Sequence, residues 1–224
     1  MTAAAPRFRP TEILPVEPIW RGQTVVVAAT GPSLAAADLA LAREAGVRTI
    51  VVNDAWRLAP WADILYGADA RWWNHYKGVM AFEGERYIPF RIAPEWSSAR
   101  EWQAAADMWG LRQIGSRLAA GVSLDPQLIH EGGNGGFQAM NLAVLHGAKR
   151  IVLTGFDMGH HDGLTHFFGD HPKTMQTNSP FEMFIGFFES AVEPLKQAGV
   201  EVINSSRRSR LECFPYLPME RALC

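Results

Sequence analysis

Short apolar runs alternate with helical segments along this chain, and that alternation limits the folds open to it more than any other feature. Residues 24–29 form a valine-rich run without polar alternation, which is typical of a strand covered on both faces of a parallel sheet. Residues 30–33 interrupt the run, a helix is expected over 34–45, and a second strand of the same kind follows at 48–52. A strand–helix–strand unit of this size winds into a parallel sheet.

The same pattern continues to the end of the chain. We expect further strands at 64–66, 86–92, 150–154 and 201–204, and further helices at 98–108, 135–146 and 181–198. This alternation predicts an α/β fold, namely a Rossmann-like, doubly wound and mainly parallel sheet. The expected organisation is an extended N-terminal arm (1–22) and a single α/β domain (23–224), which contains a small irregular Trp-rich lobe (70–130) and a His-containing lid loop (155–180).

Composition excludes several classes of protein. The 224 residues carry a formal charge of −2 and are 48% hydrophobic, as in an ordinary globular chain. A charge so close to neutral argues against bulk nucleic-acid binding, and no apolar run is long enough for a membrane span. Two cysteines without metal-ligand spacing, and a proline-broken N-terminus unlike a signal peptide, favour a cytoplasmic location. A homo-oligomer is compatible with this composition.

The residues that follow each strand are the first candidates for a site, because ligands of doubly wound sheets bind beyond the carboxyl ends of the strands. Gly31, Pro32 and Ser33 follow the first strand. A tight turn, free amides at a helix N-terminus and a hydroxyl together suit a phosphate. The same residues also fit a simple helix start with Ser33 as its N-cap.

Polar residues follow the next two strands as well. Asn53 and Asp54 could bind a base or ribose, or form a turn. Asp69 could hold a hydroxyl or a metal, or cap a helix that starts at Ala70. Trp72 belongs to a cluster that holds most of the eight tryptophans, and such a cluster could stack on a sugar or a heterocycle or form a core.

A glycine-rich junction opens the helix expected at 135–146. Asn134, Gly135 and Gly136 lie there, and so many small residues let a ligand approach the backbone closely. A flexible linker is the alternative interpretation. Asp157 follows the strand at 150–154 and is therefore expected at the same edge of the sheet.

The loop at 155–180 carries four of the seven histidines, namely His160, His161, His166 and His171. Either a metal site or a mobile lid with a general base would explain them. Their spacing matches no zinc motif, so we expect no metal. A histidine is suited to the role of a base because its unperturbed pKa lies near neutrality.

The order of these motifs resembles the bacterial sialyltransferases of the Campylobacter type. The matching segments are 25–34, 51–54, 133–139, 151–158, a lid segment at 167–172 and a closing strand and tail at 202–215. The resemblance covers about 23–55 and 130–215. It implies a nucleotide-binding α/β fold with a lid, which transfers sialic acid from a CMP-linked donor to a hydroxyl without a metal.

The resemblance also implies roles for particular residues. Gly31 and Ser33 would face the phosphate, Asn53 would contact the nucleotide, and Asn134, Gly135 and Gly136 would line the donor site. His171 would be the general base for the acceptor hydroxyl, with His166 as its rival on the same loop. Pro32, Asp54 and Asp157 complete the expected donor-binding set, and Asp69 and Trp72 are expected at the substrate.

The chain departs from the sialyltransferase pattern at one position. That family places tyrosines after the Gly-x-Asp strand end to stabilise the leaving phosphate, whereas this chain has Met158, Gly159 and His160. Its only later tyrosine is Tyr216. His166 and Arg208 are the remaining candidates for the role.

The same motifs also resemble archaeal pterin diphosphokinase-like proteins and a related domain of flagellin-modifying proteins. Over the full length the chain looks most like small phage or prophage proteins of unknown role. Three hypotheses follow. The first is a metal-independent glycosyltransferase whose partner is a nucleotide-activated small molecule and which needs no cofactor beyond that donor. The second is an ATP- and Mg²⁺-dependent diphosphokinase-like enzyme, with Asp69 and Asp157 on the metal. The third is a non-catalytic nucleotide-binding phage accessory protein.

Overall fold

One sheet of eight parallel strands runs through the computed structural model, which describes residues 13–91, 98–169, 171 and 179–224. The described strands are β1 (Thr24–Ala28), β2 (Arg48–Val52), β3 (Ile64–Tyr66), β4 (Glu85–Arg91), β5 (Arg112–Arg117), β6 (Leu128–His130), β7 (Arg150–Thr154) and β8 (Glu201–Asn204). Their order across the sheet is β6-β5-β4-β3-β2-β1-β7-β8. Every strand pair is parallel, so the predicted Rossmann-like α/β class is confirmed.

Helices cover both faces of this sheet. They are α1 (Ala36–Glu44), α2 (Ala70–His75), α3 (Ser98–Trp109), α4 (Gly135–Leu145), α5 (Phe181–Gln197) and α6 (Met219–Ala222), with short 3-10 helices at Asn53–Arg57 and Lys77–Val79. None of the helices in the described ranges is long and apolar enough to cross a membrane.

Alternate residues of the central strands pack into different helical layers, which explains why the inner residues of those strands are apolar without alternation. Val25 and Val27 of β1 pack with residues of α4 and α5. Val26 and Ala28 pack on the opposite side, in clusters that include residues of α1, α2, α3 and α6. All four side chains are fully buried, so a polar residue in β1 would lose its water on either face.

The chain reverses its winding direction beside β1. From β1 to β6 each new strand adds on one side, and α4 then crosses back so that β7 pairs with the other side of β1. The crossover helix α4 contacts β1, β2 and β6. The loops after β1 and β7 therefore diverge to opposite faces, and such a switch point is where doubly wound sheets bind ligands.

Residues 70–130, which we expected to form an irregular lobe, continue the same sheet. They supply β4, β5 and β6 and the helices α2 and α3. The tryptophans of this region pack into the helical layer over the sheet, where Trp72 and Trp73 are 3% and 0% exposed. The strands β5 and β6 lack an apolar run because the polar Ser116 and His130 are buried there with hydrogen-bond partners.

Residues 13–22, the described part of the N-terminal arm, also pack into the core. Val16 and Trp20 are 2% and 3% exposed. The Val16 amide donates to the carbonyl of Pro126 at 2.8 Å, and the ring of Trp20 lies 4.3 Å from that of His146. Residues 13–22 therefore close one side of the hydrophobic core and do not extend away from the domain.

Candidate functional site

A cavity of about 570 Å³ opens at the switch point. The ends of β1, β2, β3 and β7, the start of α4, the lid loop and the start of α5 all contribute to its wall. The residues expected from the sequence that line it are Gly31, Asn53, Asp69, Trp72, Asn134, Gly135, Gly136, Asp157, His166 and His171. Pro32, Ser33 and Asp54 are not part of the lining. The structure thus brings together most of the residues that the chain places after its strands.

The turn after β1 is occupied by a carboxylate of the chain itself. The amide and the hydroxyl of Ser33 donate to Asp157 Oδ1 and Oδ2, at 3.0 and 2.9 Å. A Cβ on Gly31 would lie 2.0 Å from Asp157 Oδ2, so the glycine is needed for this close approach. The helix α1 starts only at Ala36, with Ala35 in the N-cap position. Ser33 is therefore neither the N-cap nor a donor to a phosphate in this arrangement, which corrects the sequence expectation.

Asp157 is held in this position by several groups. It is 1% exposed, and burial raises the pKa of its carboxyl above the ordinary value while the bonds from Ser33 oppose that rise. The Nε2 atom of His161 in the lid lies 3.5 Å from Asp157 Oδ1. Asp157 therefore joins the β1 turn to the lid loop at the wall of the cavity.

Asn53 and Asp54, which are adjacent in sequence, have different surroundings. Asn53 lines the cavity with a φ of 47°, a left-handed conformation that asparagine tolerates better than most residues. Its Oδ1 atom is buried and has no hydrogen-bond partner in the described structure. Asp54 is fully buried and accepts from Trp72 Nε1 at 2.8 Å and from the hydroxyl of Tyr76 at 2.7 Å. Asp54 is therefore a structural residue and not the ribose acceptor that we expected.

Asp69 caps a helix, as one of the sequence alternatives proposed. Its carboxylate accepts from the Arg71 amide at 2.8 Å, at the start of α2. The Arg71 guanidinium also pairs with it, with Nη2 to Oδ2 at 2.7 Å. Trp72 lines the cavity but is 3% exposed and donates its indole N–H to Asp54. A broad stacking role for Trp72 is therefore not available in this structure.

The glycine-rich junction positions the N-terminus of α4 at the cavity. Asn134 is the N-cap, and its Oδ1 accepts from the Phe137 amide at 2.9 Å. Gly135 and Gly136 occupy the first turn, where backbone amides have no partner within a helix. A Cβ on Gly136 would lie 2.8 Å from Phe156. The glycines therefore allow close packing of the helix, and both line the cavity at its N-terminus.

The lid loop brings two histidines to the same cavity. The rings of His166 and His171 lie 4.6 Å apart, and both residues line the wall. Phe168 stacks on His166 at 5.1 Å with an interplanar angle of 3°. The guanidinium of Arg57 lies 5.7 Å from the centre of the Phe168 ring. Residues 170 and 172–178, which include the rest of the expected lid segment, lie outside the described residues.

Of the described residues that the sequence suggested could stabilise the leaving phosphate, only one lies at the cavity. Arg208 pairs with Asp162 at 2.9 Å on the surface, and Tyr216 is 54% exposed. Neither residue lines the cavity, whereas His166 does. The described residues contain no group of three or more His, Cys, Asp or Glu side chains that could hold a metal ion.

Several lining residues were not singled out from the sequence. Thr30, Arg71, Glu101, Trp102, Gln138, Phe181 and Phe184 contribute to the wall. Glu101 and Trp102 lie on α3, and Phe181 and Phe184 lie on α5, two segments that the sequence predicted only as helices. Phe181 directly follows the lid, and that position was the one signal in the sequence that could have identified it.

No family model matches the chain, and no curated protein matches it.

Proposed function

We propose that this protein transfers a group, most simply a sugar, from a nucleotide-activated donor to a hydroxyl acceptor. One observation carries the proposal, namely that a single cavity joins the N-terminus of α4 to the His166–His171 pair. The first feature suits the phosphate of a donor, and the second suits proton removal from an acceptor. The resemblance to sialyltransferases supports the same chemistry.

On the donor side, the amides of Gly135 and Gly136 lie at the positive end of the α4 dipole. Such an end favours a phosphate, and neutral glycines let it approach the backbone. The unpartnered Oδ1 of Asn53 would accept from a base amino group or a ribose hydroxyl. We assign no phosphate contact to Ser33, because its donors are used by Asp157.

On the acceptor side, His171 would take the proton from the attacking hydroxyl. The acceptor oxygen then bonds to the anomeric carbon of the sugar, and the bond from that carbon to the phosphate oxygen breaks. The electron pair leaves with the phosphate, whose charge the α4 amides stabilise. His166 lines the same cavity, with its ring 4.6 Å from that of His171, and we assign to it the proton donated to the leaving oxygen.

The Mg²⁺-dependent alternative fits the site less well. It would use the carboxylates of Asp69 and Asp157, but Asp69 is paired with Arg71 and Asp157 accepts from Ser33. Both side chains would have to give up these partners to bind a cation. We therefore favour a reaction in which this chain's own amides and histidines act on the donor.

A thermal-shift screen against CMP, UDP, GDP, ADP and ATP, each with Mg²⁺ or with EDTA, tests the proposal. A nucleotide present at 100 times its Kd should stabilise the fold by about 2.7 kcal/mol, a rise in Tm of roughly 5–10 °C for a chain of this size. We expect one nucleotide to act equally well in EDTA. Stabilisation by ATP with Mg²⁺ alone would favour the diphosphokinase, and binding without turnover of any activated sugar would favour an accessory protein.

A further inference from the structure

The first turn of α5 brings two aromatic rings to the wall of the cavity. Phe181 and Phe184 lie three positions apart and therefore on the same face of the helix. Both side chains pack partly against the hydrophobic core, and both line the cavity. The ring centroids are 6.4 Å apart and the ring planes meet at 86°. The two rings thus form a right-angled aromatic corner.

This aromatic corner adjoins the start of α4. A Cβ on Gly133 would lie 3.1 Å from Phe184 Cε1, so the Phe184 ring lies against the backbone of the glycine-rich junction. Gly133 directly precedes Asn134, the N-cap of α4. The Phe181 ring in turn contacts the ring of His160 in the lid loop, with centroids 5.2 Å apart. The corner therefore has the start of α4, to which we assign the phosphate, as one neighbour and the lid loop as another.

The aromatic corner is an uncharged part of the cavity wall. Arg71 and Glu101 line the cavity from α2 and α3, whereas the described lining residues of α5 are the two phenylalanines alone. Glu182 lies in the same turn of α5 but pairs with Arg210 and does not line the cavity. A flat, uncharged ring can therefore bury a face at the corner without displacing an ion pair.

The two tryptophans of the described cavity wall suit such a ring less well. Trp72 is 3% exposed, so little of its indole is available. The guanidinium of Arg91 lies over the ring of Trp102, 5.4 Å from its centroid, and takes up one face of that indole. Among the described aromatic side chains of the wall, Phe181 and Phe184 are therefore the pair best placed to stack on a flat ring.

We propose that the aromatic corner binds the base of the nucleotide by stacking. The inference rests on the proposed function, because it takes the phosphate to lie at the start of α4. A single ribose joins the base of a nucleotide to its 5′-phosphate, so the base must lie near that helix end, where the corner is. A base stacked on one ring meets the other ring edge to face, and both arrangements are favourable for aromatic groups. Of the two partners proposed for Asn53 Oδ1, this placement leaves the ribose hydroxyl.

Leucine substitutions remove the flat rings but keep apolar side chains. Phe184→Leu and Phe181→Leu test the corner, and Phe184→Tyr retains a ring. Phe187→Leu is the matched control, because Phe187 lies on the same helix and packs on the same core but does not line the cavity. Thermal unfolding shows that each variant is folded.

Calorimetry with CMP, UMP, GMP and AMP, and with ribose 5-phosphate, which has no base, measures the contribution of the base. We expect the best of the four nucleotides to bind the unsubstituted chain more tightly than ribose 5-phosphate does. Phe184→Leu and Phe181→Leu should weaken that nucleotide by about fivefold or more, the lower end of base–aromatic stacking, and ribose 5-phosphate by less than about twofold. Phe184→Tyr and Phe187→Leu should bind both ligands nearly as the unsubstituted chain does. Intermolecular NOEs should also join base protons to the Phe181 or Phe184 ring.

Unchanged nucleotide affinity in the folded leucine variants would overturn the proposal. An equal loss for ribose 5-phosphate would also overturn it, since the rings would then act on the phosphate or the ribose. If one leucine variant does not fold, the other variant and the NOEs make the same test. A loss confined to nucleotides in a protein that transfers no sugar would reject the proposed function and keep the base site. Sugar transfer with an unchanged donor KM in both leucine variants would reject the base site and keep the function. No binding of any of the four nucleotides would reject both.

Discussion

Asp157 ties three segments of the chain together at the rim of the cavity. It accepts twice from Ser33, lies 3.5 Å from His161 of the lid, and its carbonyl accepts from the Arg210 amide at 2.9 Å. Such a buried carboxylate is stable only because these donors replace the water it has lost. The contacts of Asp157 therefore give it a structural role, which is to hold together the loops that form the site. This role does not depend on any contact with a nucleotide-activated substrate.

Replacement of His171 tests the proposed base. In His171→Ala we expect turnover of an identified donor to fall by about 10²–10⁴, the usual contribution of general base catalysis. Nucleotide affinity measured by calorimetry should stay within about twofold, because we propose that the phosphate binds at α4 and not at the histidines. His75→Ala is the control, since His75 is exposed on α2. Normal turnover in His171→Ala together with loss in His166→Ala would reverse the two roles.

His146 predicts how stability depends on pH. Burial lowers the pKa of this histidine from 6.5 to about 4, and its ring is 2% exposed against Trp20. Between these values the unfolded chain binds a proton that the folded chain does not. The free energy of unfolding should therefore fall as pH drops from about 6.5 to about 4, by roughly 3 kcal/mol at about 1.4 kcal/mol for each pH unit.

Urea unfolding at several pH values measures this loss. In His146→Gln the decrease over that window should largely disappear, because the amide does not titrate and still has an N–H for the carbonyl of Glu17, which lies 3.2 Å from His146 Nδ1. His75→Gln should leave the decrease unchanged. An equal decrease in both variants would assign it to other groups.

At the scale of the elements, six of the eight described strands were predictable from the sequence, and the neighbouring strands β5 and β6 were not. The inner residues of β1 and β7 are apolar because helices cover both faces of these strands. β5 instead contains Ser116, whose Oγ donates to Glu131 at 2.9 Å, and Glu131 in turn pairs with Arg91 of β4. A strand that contains such polar residues resembles a loop in the sequence. The hydrogen-bond partners that allow these residues to be buried are distant in sequence and become known only from the fold.

The helix α4 carries a prediction that separates stability from binding. Asn134→Asp keeps an N-cap acceptor for the Phe137 amide but adds a negative charge beside the proposed phosphate position. We expect the free energy of unfolding to stay unchanged or rise slightly. Affinity for the nucleotide found in the screen should fall, whereas affinity for the matching nucleoside, which has no phosphate, should not.

Asn134→Ala is the complementary variant. It removes the cap, so we expect a loss of about 1 kcal/mol in urea unfolding without an added charge. If Asn134→Asp binds the nucleotide as tightly as the unsubstituted chain, the phosphate does not lie at the start of α4, and the proposed donor site is wrong.

At the scale of the whole molecule, the site depends on the order of the strands. The rule that ligands bind at strand ends selected one edge of the sheet, and ten of the thirteen expected residues line one cavity there. The rule could not show which ends are neighbours, because sequence order does not reveal that β7 pairs with β1. It also could not show that Asp54 and Ser33 bond inside the protein, because their partners Trp72, Tyr76 and Asp157 come from other segments.

Residues 13–22 cover one side of the hydrophobic core, and replacement of Trp20 tests how much they contribute to stability. Its indole is 3% exposed and covers His146, whereas the neighbouring Ile19 is 63% exposed. Trp20→Ala should lower the free energy of unfolding by about 3–5 kcal/mol, and Ile19→Ala should change it by less than about 0.5 kcal/mol. Urea unfolding at pH 7.5 measures both.

Trp20 and His146 should also be coupled, because the residues are in contact. Removal of the indole ring lets water reach the imidazole of His146. The pKa of His146 in a folded Trp20→Ala protein should therefore rise from about 4 toward its ordinary value, which an NMR titration can follow. In a double-mutant cycle with His146→Gln, we expect an interaction free energy above about 0.5 kcal/mol. Additive effects together with an unchanged pKa would mean that residues 13–22 pack on the domain without controlling the solvation of its buried histidine.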